Sequence, residues 1–179
     1  MVVQEKSFIK LCSFYVSDWH LVTMLLPYIN KKINEQAKIA TILEKDIEEN
    51  IITLLQKLNL KNKEKIEKIN WKKQQNNKIF EDIENSNIKN GEQKELIIII
   101  NGREKFIKEK NKKIEEYLKT HNTNKIVKII NCYEVIEYEG NVSEILQEHD
   151  MVLNTSGERE ISDIFGNKGE ENQNELKVI

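Results

Sequence analysis

The sequence predicts an α/β fold: three layers, with a mainly parallel sheet of about six strands flanked by helices. Three observations lead there. Apolar runs of strand length end near residues 16, 44, 71, 100, 131 and 155, in steps of 28, 27, 29, 31 and 24 residues, and a strand–helix unit with short loops takes about 30. Leu96-Ile97-Ile98-Ile99-Ile100 is an unbroken apolar run, as expected of a parallel strand covered on both faces. Between the runs, apolar residues recur at helical spacing.

The strands are placed at residues 8–16, 38–44, 65–71, 95–100, 125–131 and 151–155. After the first, Ser17 or Asp18 caps a helix whose apolar positions are Trp19, Val22, Leu25, Leu26 and Ile29. Pro27 is expected to kink or break that helix. A second helix covers 47–58, with Asp46 as cap and Ile47, Ile51, Leu54, Leu55 and Leu58 on one face. Residues 74–94, rich in Asn, Lys and Glu, are assigned a helix near 77–84 and then a loop. A third helix, 103–119, buries Phe106, Ile107, Ile114, Tyr117 and Leu118. A short helix at 142–149 follows Gly140-Asn141, and Ile161, Ile164 and Phe165 make a last packing turn. Residues 166–179 read as a disordered tail, leaving 1–165 as a single domain.

Composition narrows the function. The 28 Lys+Arg face 30 Asp+Glu, a formal net charge of −2, without the basic footprint of a nucleic-acid binder. Arg103 and Arg159 are the only arginines, so few planar forks are present for bidentate recognition. None of the 6 glycines precedes Gly91, and neither GxxxxGK[ST] nor GxGxxG occurs. That excludes nucleotide chemistry of the P-loop kind, which needs backbone N–H groups closing on the phosphates. Cys12 and Cys132 form no disulfide framework and fit a reducing cytoplasm. No run approaches the ~20 apolar residues of a membrane span, and no signal peptide is legible.

Ligands of open parallel sheets bind beyond the strand carboxyl ends, where helix N-termini offer unpaired N–H groups. That rule selects Ser17, Asp18, Trp19 and His20 after the first strand and Glu44, Lys45 and Asp46 after the second. Trp71 follows the third, Asn101, Gly102 and Arg103 the fourth, and Cys132, Tyr133 and Glu134 the fifth. Asn101-Gly102-Arg103 reads more simply as a strand-to-helix turn than as an anion nest. Trp19 either shapes a pocket or packs on the sheet. Cys12, Cys132, His20 and His149 lack the close-pair spacing of metal ligands, so neither metal nor cofactor is expected. Cys132 with His149 has the composition of a nucleophile and base, but a strand cysteine is usually buried and inert. The pairs Glu48-Glu49, Glu115-Glu116 and Glu158/Glu160, and the lysine-rich stretch 57–73, read as solvated faces.

Two halves of the chain carry a family likeness. One is Leu11-Cys12-Ser13-Phe14-Tyr15-Val16-Ser17-Asp18, then Leu25-Leu26-Pro27-Tyr28-Ile29 and the strand 39–43. The other is Asn131-Cys132-Tyr133-Glu134, then Ile145-Leu146-Gln147-Glu148-His149-Asp150-Met151-Val152-Leu153. Over about residues 7–157 the chain resembles the MEDS domain, the sensory domain of methanogen and methylotroph regulators such as the dichloromethane-responsive repressor. It departs from the pattern at Lys10-Leu11, where the family has a histidine, at Glu134 for Asp, and at Asp150 for Pro. The resemblance implies a degenerate RecA/KaiC-like core without the phosphate loop, used as a sensory module.

The resulting expectation is a non-catalytic sensory or regulatory domain, acting in signal transduction or transcriptional regulation. It binds a small ligand, or a regulatory protein such as a kinase or transcription regulator, at the strand carboxyl ends. Tyr15, Ser17, Asp18, Trp19, Cys132, Tyr133 and His149 are the expected pocket formers. Neither direct nucleic-acid nor membrane contact is expected, and homo-oligomerisation is left open. The alternatives are a protein–protein interaction module with no small ligand, then a nucleotide-independent enzyme using Cys132 or carboxylates.

Overall fold

A computed structural model describes residues 8–73, 80, 95–121, 126–135 and 142–165. The elements run β1 (Phe8–Tyr15), α1 (Asp18–Asn34), β2 (Ala37–Leu43), α2 (Glu48–Lys57), α3 (Lys63–Glu67) and β3 (Glu95–Asn101). They continue with α4 (Glu104–Thr120), β4 (Ile126–Glu134), α5 (Val142–Gln147), β5 (Met151–Asn154), β6 (Gly157–Glu160) and α6 (Ile161–Phe165). The strands form one sheet in the order β2-β3-β4-β1-β5-β6, parallel throughout except for β6, which runs antiparallel to β5. The architecture is the three-layer α/β fold that the sequence predicts.

Strand residues alternate between the two faces, and the run at 96–100 shows why it is apolar throughout. Leu96, Ile98 and Ile100 face a core with Ile107, Ile114 and Leu118 of α4 and Ile145 and Leu146 of α5. Ile97 and Ile99 face the opposite core, under α1, α2 and α3. Each face is roofed, so no polar residue falls within 96–100.

The chain leaves β1 through α1 on one face and passes over β4 and β3 to reach β2. It leaves β4 through α5 on the other face and passes over β1 to reach β5. β1 and β4 are neighbours whose outgoing connections run in opposite directions over opposite faces, and in open α/β sheets the carboxyl ends of such strands are where ligands are seated.

Several local expectations are corrected. Residues 65–71 are not a strand: Ile66 and Ile69 pack on the α1 face and their amides bond locally, to Asn62 and Ile66 carbonyls. Their spacing of three is helical, and Trp71 ends the segment by donating its indole N–H to the Ile66 carbonyl at 2.9 Å. The sixth strand is instead β6, turned back after Asn154-Thr155-Ser156-Gly157. There Asn154 Oδ1 accepts from the Ser156 amide at 2.9 Å and Gly157 takes φ +99°, a conformation that favours glycine.

α1 runs through Pro27 without a break. The proline lies on the exposed side, where the carbonyl it leaves unpaired meets water instead of core. Ser17, not Asp18, caps α1, accepting from the His20 amide at 3.1 Å. Asp46 does not cap α2; Ile47 holds that position, and Asp46 accepts from the Lys73 amide. β4 extends to Glu134, so Cys132, Tyr133 and Glu134 belong to the strand instead of following it. Phe106 and Tyr117 are half-buried, whereas Asn111 joins the buried side of α4. The helix expected near 77–84 lies outside the described residues except for Phe80, which packs on Tyr117. The expected tail at 166–179, and the side chains of Ile164 and Phe165, also lie outside them.

Among the described residues no helix is long and apolar enough to cross a membrane.

Candidate functional site

The sheet register assembles the site. Leu43, Asn101, Cys132 and Ser13 pair across four strands, and all four face α1. Two residues further along come Tyr15 and Glu134, the last residues of β1 and β4, and Lys45 and Arg103 in the turns beyond β2 and β3. Lys45 and Glu134, 89 positions apart, meet there.

There the Lys45 ammonium lies 2.8 Å from Asp18 Oδ1 and 3.1 Å from Glu134 Oε2. It also stands over the Tyr15 ring, 5.7 Å from its centroid, within cation–π range. Burial opposes the Lys45 charge, but Asp18 and Glu134 outweigh it, and the ammonium is held charged above the usual lysine range. Burial likewise pushes the Tyr15 phenol up to about 12, against the opposing pull of Asn101 and Lys45, so the ring carries a neutral hydroxyl. Asn101 is fully buried and donates through Nδ2 to the Tyr15 hydroxyl at 2.6 Å and to the Cys132 carbonyl at 3.3 Å. Its Oδ1 is buried with no hydrogen-bond partner. Buried polar atoms are normally paired, and this one is an exception.

The rim is partly apolar. Trp19, second residue of α1, is 50% exposed and Val16 is 44% exposed. On the other flank Arg103 Nε bonds Glu44 Oε1 at 2.8 Å, and the Arg103 amide reaches the same oxygen at 3.3 Å. Asn101-Gly102-Arg103 is thus a strand-to-helix turn tied to Glu44. Its glycine is required by packing: a Cβ at Gly102 would meet Phe106 Cδ1 at 2.7 Å and Glu44 Cβ at 2.9 Å. Gly102→Ala is therefore expected to cost about 1–3 kcal/mol through overpacking. A urea-denaturation midpoint equal to that of the natural chain would contradict this.

Of the seven expected pocket formers, Tyr15, Ser17, Asp18 and Trp19 lie at or just beyond the carboxyl end of β1. Ser17 is committed to capping, and His20 Nδ1 accepts from the Val16 amide at 3.1 Å, steadying the same turn. Cys132, Tyr133 and His149 lie in the core. Cys132 faces α1, fully buried, and burial drives its thiol well above the ordinary range. Burial takes Cys12, on the other face, up to about 12. Tyr133 stacks on Phe14 at 5.8 Å on the α4 side, with its phenol pushed up by burial.

His149 belongs to a buried network on that same side. The Asn111 amide nitrogen donates to the Ile107 carbonyl and to Asn131 Oδ1, and Asn131 Nδ2 donates to Asn111 Oδ1 and bonds His149 Nε2. His149 Nδ1 bonds the Ile145 carbonyl. That carbonyl only accepts, so Nδ1 carries the proton and Nε2 accepts from Asn131. Cys132 and His149 thus stand on opposite faces and form no nucleophile–base pair. Trp71, also short-listed, is a core anchor.

Lys45, Glu134 and Asn101 were short-listed as strand ends but passed over as pocket formers. A step of two residues leads from Leu43 to Lys45 and from Cys132 to Glu134, whereas Asn101 is level with Leu43 and Cys132 in the sheet register. A separate groove of about 490 Å³ runs between α1 and the β5–β6 hairpin, on the far side of β1 from β4. Its buried charges, Lys32 and Glu158, pair with one another at 3.6 Å.

Compared with models of protein families, with curated proteins and with solved structures, the chain finds no match.

Proposed function

We propose that the chain is a single-domain, non-catalytic sensory module of the MEDS type, acting in the cytoplasm in signal transduction or transcriptional regulation. It binds a small ligand in the crevice between β1 and β4. The observation that carries this reading is the convergence of Tyr15, Asp18, Lys45 and Glu134 at the carboxyl ends of β1 and β4, with the buried Asn101 bonded to the Tyr15 hydroxyl. The absence of phosphate-loop motifs and the inert, buried thiols favour recognition over catalysis. A RecA-like core without its phosphate loop, which the family resemblance implies, has the same consequence.

The test is a thermal-shift screen of metabolites against the natural chain and Glu134→Gln. A ligand at 100 times its Kd adds about 2.7 kcal/mol, or about 5–11 °C in Tm for a chain of this size. The expected result is at least one compound that raises Tm in the natural chain and not in the variant. The exposed Val16 and Trp19 favour a second reading, a protein-docking module. It gains if no compound moves Tm and Trp19→Ala abolishes capture of a defined regulatory protein from the native host.

A further inference from the structure

We infer that a groove at the amino end of β2 docks an acidic segment of a partner protein, one that carries apolar side chains and adds along the edge of the sheet. The groove holds about 430 Å³, with Ile33, Ala37, Ile39 and Ile69 as its apolar lining and Lys38 and Lys65 at its sides. It lies at the opposite end of the strands from Lys45 and Glu134, so the inference does not rest on the ligand reading above.

Charge selects the partner's sign. Residues 57–73 carry seven lysines against Glu64 and Glu67, in a chain whose formal net charge is −2. Among the described residues, only Lys72 of the seven has a carboxylate within ion-pair reach, Glu48 at 3.9 Å. Lys61 and Lys68 stand four and three positions to either side of Lys65, and all three are exposed. A face so charged steers anionic surfaces toward the groove and rejects cationic ones.

The sheet edge selects an extended peptide. Among the described residues β2 pairs only with β3, at the margin of the sheet. The Glu44 amide meets the Asn101 carbonyl at 2.9 Å on the β3 side. Alternation therefore turns the amide and carbonyl of Ile39 outward, away from β3. Further along β2 the Thr41 hydroxyl donates to the Asn70 carbonyl, whereas Ile39 opens on the groove. A strand edge beside wells for alternate side chains is how sheets take up a peptide. Residues 57–73 contain no arginine, and Trp71, their one aromatic, is buried. A nucleic acid thus finds neither planar forks nor stacking faces there, and a bilayer has no backbone to pair with the edge.

The experiment titrates the full chain with a short peptide of alternating valine and glutamate, followed by nuclear magnetic resonance at the Ile39 and Ile69 backbone amides. Matched peptides with lysine for glutamate, or serine for valine, are the controls. The valine–glutamate peptide alone is expected to shift both amides saturably and to slow hydrogen exchange at Ile39 by about tenfold or more. Lys65→Glu combined with Lys68→Glu is expected to weaken it about tenfold. Lys65→Gln with Lys68→Gln serves if the reversal does not fold.

Equal binding of either control peptide overturns the assignment of an acidic, apolar-bearing partner. Shifts produced only by oligothymidylate or by phosphatidylserine vesicles overturn it in favour of a nucleic acid or a membrane. Shifts that grow with protein concentration in the absence of any probe give the face to a second copy of the chain, and overturn it too. If no probe moves either amide, or Ile39 exchanges as fast in the complex as in the free chain, edge docking fails. The metabolite screen reads the other end of the sheet and decides the sensory reading separately.

Discussion

Trp71→Ala is expected to lower the unfolding free energy by about 3–5 kcal/mol, the range for truncating a large buried aromatic. Trp71 is 1% exposed and among the largest fully buried side chains. Its indole N–H holds the Ile66 carbonyl at 2.9 Å, and its own carbonyl receives the Ile47 amide. One residue, through its indole and its backbone carbonyl, therefore ties the end of the α3 segment to the start of α2. Alanine leaves a cavity in the core and removes one of the donors to the Ile66 carbonyl, which keeps the Ile69 amide at 3.1 Å. For a chain of this size Tm should fall by about 6–20 °C. Circular dichroism is the suitable probe, because Trp19, half-exposed, is the other tryptophan and reports a different place. Trp71→Phe, which keeps most of the volume and loses the N–H, should cost about 1–2 kcal/mol. A loss below about 1 kcal/mol for the alanine variant would refute the anchoring role.

Lys128→Met should cost about 2–4 kcal/mol at pH 7, somewhat below the range for breaking a fully buried ion pair because the partners keep some solvent contact. Lys128 sits on the sheet under α1, its side chain 12% exposed, 2.9 Å from Glu95 Oε1 and 2.9 and 3.0 Å from the Glu158 oxygens. Glu158 also accepts from the Tyr28 hydroxyl at 2.6 Å, and Lys32 stands 3.6 Å away. Burial pushes the Glu158 carboxyl up, but Tyr28, Lys128 and Lys32 outweigh it, and the group is held below its ordinary value. A carboxylate so depressed adds stability above its unfolded value of about 4.3, and loses it as pH falls through the folded value. Methionine removes the main cation, so the variant's deficit is largest at neutral pH and shrinks as Glu158 protonates. Chemical denaturation at pH 7, 5 and 3.5 measures this. A deficit that does not change with pH would assign the cost to packing instead of charge.

The same network shows what is hard to read along a chain. Glu158 was set among solvated carboxylates because its local stretch, Gly157-Glu158-Arg159-Glu160, is polar. Its burial comes from Lys128 and Tyr28, which are 30 and 130 positions away. Asn131, Asn111 and His149 likewise satisfy each other only because β4, α4 and the start of β5 meet. At the crevice the outcome was mixed. Tyr15, Asp18 and Trp19 follow directly from the end of the first strand. Cys132 and Tyr133 were placed after a strand that in fact runs to Glu134, so the residue reaching the edge was passed over.

From the sequence alone came the class of fold, the double burial of 96–100, the capped start of α1 and the absence of a phosphate loop. All of these depend on spacing within a few residues, where the periods of helix and strand are written directly. Only the tertiary structure decided that β1 lies between β4 and β5, that the sixth strand is β6, and that Lys45 meets Asp18 and Glu134. Strand order is set by pairing between distant segments, and a sequence pattern reports which face a residue takes without naming its neighbour.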